Sequence, residues 1–130
     1  MNTKIIMAAS ALFLALTGMV LTFFPQEILT YLDAGTNVYF KLSIQLIGAL
    51  YFAFAIVNWM AKGNIIGGIY NRPMVMGNLA HFFIGGMAVT KALLASALPG
   101  LFWIFAGLYL RFAILFAILF NRHPTENQLN

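Results

Sequence analysis

The chain contains no cysteine among its 130 residues. A disulfide framework, a thiol nucleophile and cysteine-ligated iron–sulfur clusters are therefore excluded within this chain. The same absence excludes the membrane thiol–disulfide oxidoreductases, a class that includes proteins of four membrane-spanning helices.

Charged residues are scarce as well. They make up 8% of the chain, whereas about a quarter is usual for soluble domains. With 62% hydrophobic residues and a mean hydropathy of +0.90, too few ionised side chains remain to cover a surface exposed to water. We therefore expect lipid to surround most of the chain. The seven basic residues are spread along the sequence, so the clustered basic face required for nucleic-acid binding is missing.

Four segments contain the roughly 20 mostly apolar residues that a membrane-spanning helix needs. They cover about residues 5–24, 38–61, 73–96 and 99–121, and a polar tail, 122–130, follows. The predicted fold is all-α: one integral membrane domain, built as a four-helix bundle. The first segment is longer than the ~7–15 residues of a signal-peptide core, so we expect an uncleaved helix. Residues Pro25 to Leu32 predict a short surface helix after it.

Charge in the connections predicts the orientation. Because successive connections lie on alternate sides of the membrane, all the basic residues of loops and termini fall on one side. The acidic residues Glu27 and Asp33 fall on the other side. The basic residues are Lys4, Lys62, Arg72 and Arg122. By the positive-inside rule, both termini face the cytoplasm.

Small residues predict where helices pack, because membrane helices associate through close contact rather than through expulsion of water. In the first segment, Ala8, Ala11, Ala15 and Gly18 lie along one stripe, and Thr22 comes next. In the fourth, Ala106, Ala113 and Ala117 lie on one side.

Arg111 is the most informative polar residue, because it lies near the middle of the fourth segment. A charge at that depth costs ~2.5–3.5 kcal/mol on insertion scales, so we expect its side chain to face the protein interior or a wet cavity. No Asp or Glu lies within a predicted span. Its partner is then a carbonyl, an amide, water, a lipid phosphate, an anionic ligand or another subunit.

Three further polar residues, Asn58, Asn78 and His81, lie in the same half of the membrane by helical rise. Together with Arg111 they form our candidate ligand-binding site. Alternatively, Arg111 is a structural hydrogen-bond hub or a contact to another subunit, and the two asparagines make polar contacts between helices. His81 then forms an interhelical hydrogen bond or handles a proton. No metal site or cofactor is expected, since the only other histidine is His123 in the tail.

Three stretches carry a resemblance to small four-helix bacterial inner-membrane proteins of the DoxX group. They are Gly48 to Met60, Tyr70 to Pro73 and Asn78 to His81. The resemblance covers residues 10 to 115 and implies a multi-pass protein of the bacterial cytoplasmic membrane. The basic residue that such chains tend to carry near the glycines of the first helix is missing from this sequence, and no functional residue is carried over.

These features favour a non-enzymatic integral membrane protein. It would bind a membrane lipid, a quinone-like or other amphiphilic ligand, or a membrane partner. Two alternatives stay open: an oligomeric transporter or channel for small anions or solutes, and an accessory subunit of a larger membrane complex. An enzyme is least favoured, because one intramembrane histidine without a carboxylate or nucleophile fills none of the usual catalytic roles.

Overall fold

The computed structural model describes residues 2–35, 37–63 and 71–121, and these ranges contain five α-helices and no strand. The helices are α1 (Thr3–Phe23), α2 (Pro25–Tyr31), α3 (Val38–Ala61), α4 (Arg72–Ala95) and α5 (Leu101–Phe120). The all-α prediction is confirmed, and the four predicted spans agree with α1, α3, α4 and α5 to within two residues at each end. The tail 122–130, with His123, lies outside the described residues.

Four helices, α1, α3, α4 and α5, are long and apolar enough to cross a membrane. Large apolar side chains remain exposed along each of them, for example Leu12, Ile56, Ile84 and Ile114. Lipid is the solvent in which such a surface is stable, because its hydrocarbon is as apolar as these side chains. The chain is a multi-pass membrane protein.

The helix starts follow from local sequence. Asn2 and Asn37 precede α1 and α3, and the side-chain oxygen of each accepts a hydrogen bond from the backbone N–H two residues later, at 3.0 and 2.8 Å. Such N-caps satisfy donors that a helix leaves unpaired. Pro25 is the first residue of α2, the short helix predicted after the first span. Proline is suited to this position because a backbone N–H in the first turn would have no partner within the helix.

The chain divides into two compact units, Met1–Lys62 and Gly63–Asn130. In the first unit α1 packs against α3, and α2 contacts both. The buried residues of α1 recur every three or four positions and include Met7, Ala11, Leu14 and Gly18. Ala11 and Gly18 are therefore buried as the stripe predicted, while Ala8, Ala15 and Thr22 are half-buried.

In the second unit α4 packs against α5. The pair is antiparallel: the guanidinium carbon of Arg72, at the start of α4, lies 6.0 Å from the ring centroid of Phe120, at the end of α5. On α5, Ala106 and Ala113 are buried as predicted, and Ala117 is half-buried.

Candidate functional site

Asn58 belongs to the contact between α1 and α3. Its Nδ2 donates a hydrogen bond to Ser10 Oγ at 3.1 Å, and Ser10 Oγ donates to the carbonyl oxygen of Met7 at 2.9 Å. Both polar side chains are buried. In hydrocarbon, a hydrogen bond between helices favours association because the alternative is an unsatisfied polar group. This geometry is that of a structural contact between helices.

Asn78 lies fully buried on α4, and its Nδ2 donates to the carbonyl oxygen of Met74 at 3.0 Å. Both residues belong to α4, so this bond is internal to the helix. Asn78 is one turn of α4 away from Phe82, which occupies the centre of the contact with α5.

His81 follows on the same helix and meets Tyr109 of α5. The Nε2 atom of His81 and the Oη atom of Tyr109 are 3.5 Å apart, and which of them donates depends on the tautomer of the imidazole. The imidazole is half-buried, with its ring centroid 5.6 Å from that of Tyr109. This contact joins polar side chains of α4 and α5 across their interface.

Tyr109 is a residue that the sequence analysis missed. Tyrosines near the ends of spans anchor at the membrane interface, but Tyr109 is buried near the middle of α5. A phenolic hydroxyl at that depth needs a partner inside the protein. A tyrosine in the middle of the fourth predicted span was therefore the sequence feature that could have identified Tyr109 as a buried polar contact.

Phe82 completes the contact between α4 and α5. Its fully buried ring stacks on Phe112 and Phe116 at centroid distances of 4.9 and 5.7 Å, and meets Tyr109 edge-on at 5.4 Å. The ring of His81 lies T-shaped to that of Phe82, with 5.1 Å between the two centroids. The four aromatic rings from Phe82, Tyr109, Phe112 and Phe116 fill the interface with apolar surface. The imidazole of His81 and the hydroxyl of Tyr109 are polar groups beside it.

Arg111 lies elsewhere on α5. It comes two residues after Tyr109, about 200° around the helix axis at 3.6 residues per turn, and it is exposed. Its neighbours on the same side are also exposed, and they define what we call the Arg111 face. The face consists of Ile104, Gly107, Arg111, Ile114 and Ile118.

The sequence analysis expects Arg111 to face the protein interior or a wet cavity, and the structure exposes its side chain on α5. The side of α5 that packs on α4 is occupied by aromatic rings and alanines, so the guanidinium is directed away from it. Within the described ranges, no hydrogen bond or ion pair links Arg111 to another residue.

Within the second unit, the three candidate residues do not share one side of the contact between α4 and α5. Asn78 and His81 lie on α4 near its contact with α5, Arg111 lies on the exposed side of α5, and Asn58 belongs to the other unit. In the part of the chain that the structure describes, no group of three or more His, Asp or Glu side chains is placed to hold a metal ion. The two described acids, Glu27 and Asp33, lie in α2 and in the turn after it.

Comparisons with known proteins give no match: no family model, curated protein or solved structure is similar to this chain. The resemblance to DoxX-like proteins accordingly stays a prediction.

Proposed function

We propose that this chain is a non-enzymatic membrane protein that binds another membrane component through the Arg111 face. The observation that carries the proposal is an exposed guanidinium in the middle of a helix of membrane-spanning length. The component is a lipid, an amphiphilic ligand or a membrane partner, and it presents an anionic or strongly polar group to Arg111.

The positive charge of Arg111 is energetically costly in the middle of a membrane. An arginine at the centre of a span costs ~2.5–3.5 kcal/mol on insertion scales and more in simulations of an isolated helix. Charged residues at such depth are therefore rare, and they usually pair with another group or line a wet cavity. Arg111 has no such partner among the described residues. A bound component would supply one.

The other intramembrane polar groups support binding rather than catalysis. His81 contacts a tyrosine, and Asn58 contacts a serine. No predicted span contains a carboxylate, and the chain has no thiol. The predicted spans therefore offer neither a carboxylate to orient the imidazole nor a thiolate nucleophile beside it.

We also propose that the protein resides in the bacterial cytoplasmic membrane with both termini inside. The support is the distribution of basic residues: Lys4 is in the first turn of α1, Lys62 follows α3 and Arg72 begins α4. Spans that cross the membrane alternately would place these three ends on the same side. Arg72 occupies the first turn of α4, where a cation is unfavourable to the helix dipole. Its presence there is explained by a requirement for positive charge on the cytoplasmic side.

The test compares wild type with Arg111→Leu after purification in mild detergent, by native mass spectrometry. We expect wild type to carry a lipid, ligand or subunit that the variant has lost. Arg111→Lys retains a charge and should keep part of the occupancy. Lys91→Leu, which removes another exposed basic residue of a span, is the matched control and should keep all of it. Equal occupancy in wild type and Arg111→Leu would overturn the proposal.

A further inference from the structure

We infer that the component bound at the Arg111 face is a transmembrane helix of a different protein, with an Asp or Glu near the middle of the membrane. This inference rests on the proposed function and names the partner class. The depth of Arg111, the role of Gly107 and the placement of acidic residues in this chain support it.

The depth of Arg111 disfavours a lipid headgroup as the bound anion. Arg111 is ten residues from Leu101 and nine from Phe120, which a rise of 1.5 Å per residue converts to about 15 and 13.5 Å. The hydrocarbon core is about 30 Å thick. The lipid phosphates at its two edges therefore lie roughly 15 Å from the backbone of Arg111. A carboxylate on a neighbouring helix reaches the same depth without deforming the bilayer.

Gly107 provides the second argument. It lies one helical turn before Arg111 on the same exposed side, and a Cβ added there would meet no atom within 4 Å. By contrast, a Cβ on Gly85 would lie 2.6 Å from the ring of Tyr109, so that glycine serves the packing of α4 on α5. A small residue on an outward face allows another helix backbone to approach closely. Gly107 therefore suits a helical partner whose side chain reaches Arg111.

The acidic residues of this chain favour a different protein over a second copy as the partner. Copies inserted in the same orientation place equivalent residues at equal depth, so Arg111 would meet the mid-span residues of its own sequence. Those residues include Arg111 itself and no acid, since Glu27, Asp33 and Glu126 all fall outside the predicted spans. Like charges at short range in hydrocarbon repel strongly. The required carboxylate must come from another chain.

The experiment uses designed single-span peptides as probes, each a leucine-rich helix with one central residue: Asp, Lys or Leu. Because the chain has no cysteine, Asn121→Cys, just after α5, gives a single site for a donor dye. The labelled full-length protein and acceptor-labelled probes are reconstituted together in phosphatidylcholine vesicles. Energy transfer is then measured against probe density.

We expect the Asp probe to bind more tightly than the Leu probe. Polar contacts between membrane helices contribute roughly 0.6–2 kcal/mol, which corresponds to a preference of about three- to thirtyfold. Arg111→Leu should abolish the preference, and Arg111→Glu should transfer it to the Lys probe. Gly107→Ile should weaken binding of the Asp probe, whereas Lys91→Leu should leave it unchanged.

Equal binding of the Asp and Leu probes to wild type would overturn the inference. So would a preference for Asp that persists in Arg111→Leu. The proposed function is tested separately by the co-purification experiment: a lipid lost from Arg111→Leu, together with equal probe binding, would retain the proposed function and reject a helical partner.

Discussion

Gly18 and Gly48 bring the backbones of α1 and α3 into direct contact. A Cβ on Gly18 would lie 2.8 Å from the carbonyl oxygen of Gly48, and a Cβ on Gly48 would lie 3.0 Å from the carbonyl oxygen of Gly18. Close approach of this kind stabilises membrane helix pairs through van der Waals contact. On either side of the glycine contact, hydrogen bonds join the same two helices, from Gln45 to the carbonyl oxygen of Thr22 and from Asn58 to Ser10.

Gly48→Ala should weaken the contact between α1 and α3. The added methyl would lie 2.5 Å from Thr22 Oγ1 and 2.8 Å from the Thr22 nitrogen, so the backbone has to move. Overpacking of this kind costs about 1–3 kcal/mol. The free energy of unfolding in mixed detergent–SDS micelles measures it. Gly107→Ala, whose methyl enters open space, is the control; equal stability of the two variants would contradict the glycine contact.

Phe82→Ala should destabilise the contact between α4 and α5, because the ring is fully buried among Tyr109, Phe112 and Phe116. In soluble proteins such truncations cost about 3–5 kcal/mol. We expect a smaller loss in this protein, since the part due to expulsion from water is missing in lipid. Phe83→Ala removes an adjacent ring that is 54% exposed. The same unfolding assay should show a clear loss for Phe82→Ala and almost none for Phe83→Ala.

The bond between Asn58 and Ser10 should appear as a coupling energy. Asn58→Ala, Ser10→Ala and the double variant form a double-mutant cycle, which isolates the pair from the other effects of each truncation. Hydrogen bonds between membrane helices average about 0.6 kcal/mol and reach about 1.7. We expect a coupling in that range because both groups are buried. A cycle of Asn58 with Ser43, an exposed residue bonded within its own helix, should give no coupling.

Arg111→Leu should leave the free energy of unfolding of the purified protein, freed of any bound component, nearly unchanged, within about 0.5 kcal/mol, as for surface substitutions in general. The reason is that Arg111 makes no hydrogen bond or ion pair with other described residues. In a translocon assay, by contrast, the isolated α5 with this substitution should insert more readily by about 3–4 kcal/mol, because leucine itself favours insertion. A large loss of stability in the purified variant would show that Arg111 supports this chain internally.

Cysteine labelling can test the orientation, because the chain offers no native thiol. Ala34→Cys and Gly63→Cys introduce exposed thiols at opposite ends of α3. With both termini inside, an impermeant maleimide added to intact cells or spheroplasts should label residue 34 and spare residue 63. Detergent-solubilised samples, in which both positions should react, serve as the control. The reverse pattern would mean that the positive-inside prediction is wrong.

The secondary structure and the surrounding solvent follow from the amino-acid sequence alone. Apolar runs of membrane-spanning length, ended by Pro25 and capped at Asn37, set the helices, since in hydrocarbon a segment has to satisfy its own backbone hydrogen bonds. The small residues Ala11 and Gly18 also identified the packed stripe of α1. These features are local, so their consequences could be predicted residue by residue.

Which polar side chains meet depends on how the helices pack. Sequence depth alone placed Asn58, Asn78, His81 and Arg111 near one another, but depth says nothing about rotation around a helix axis. Rotation is fixed by packing between helices, and in the second unit the rings around Phe82 occupy the inner side of α5. That packing brings Tyr109 to His81 and turns Arg111 outward, because neighbouring positions on a helix point in different directions.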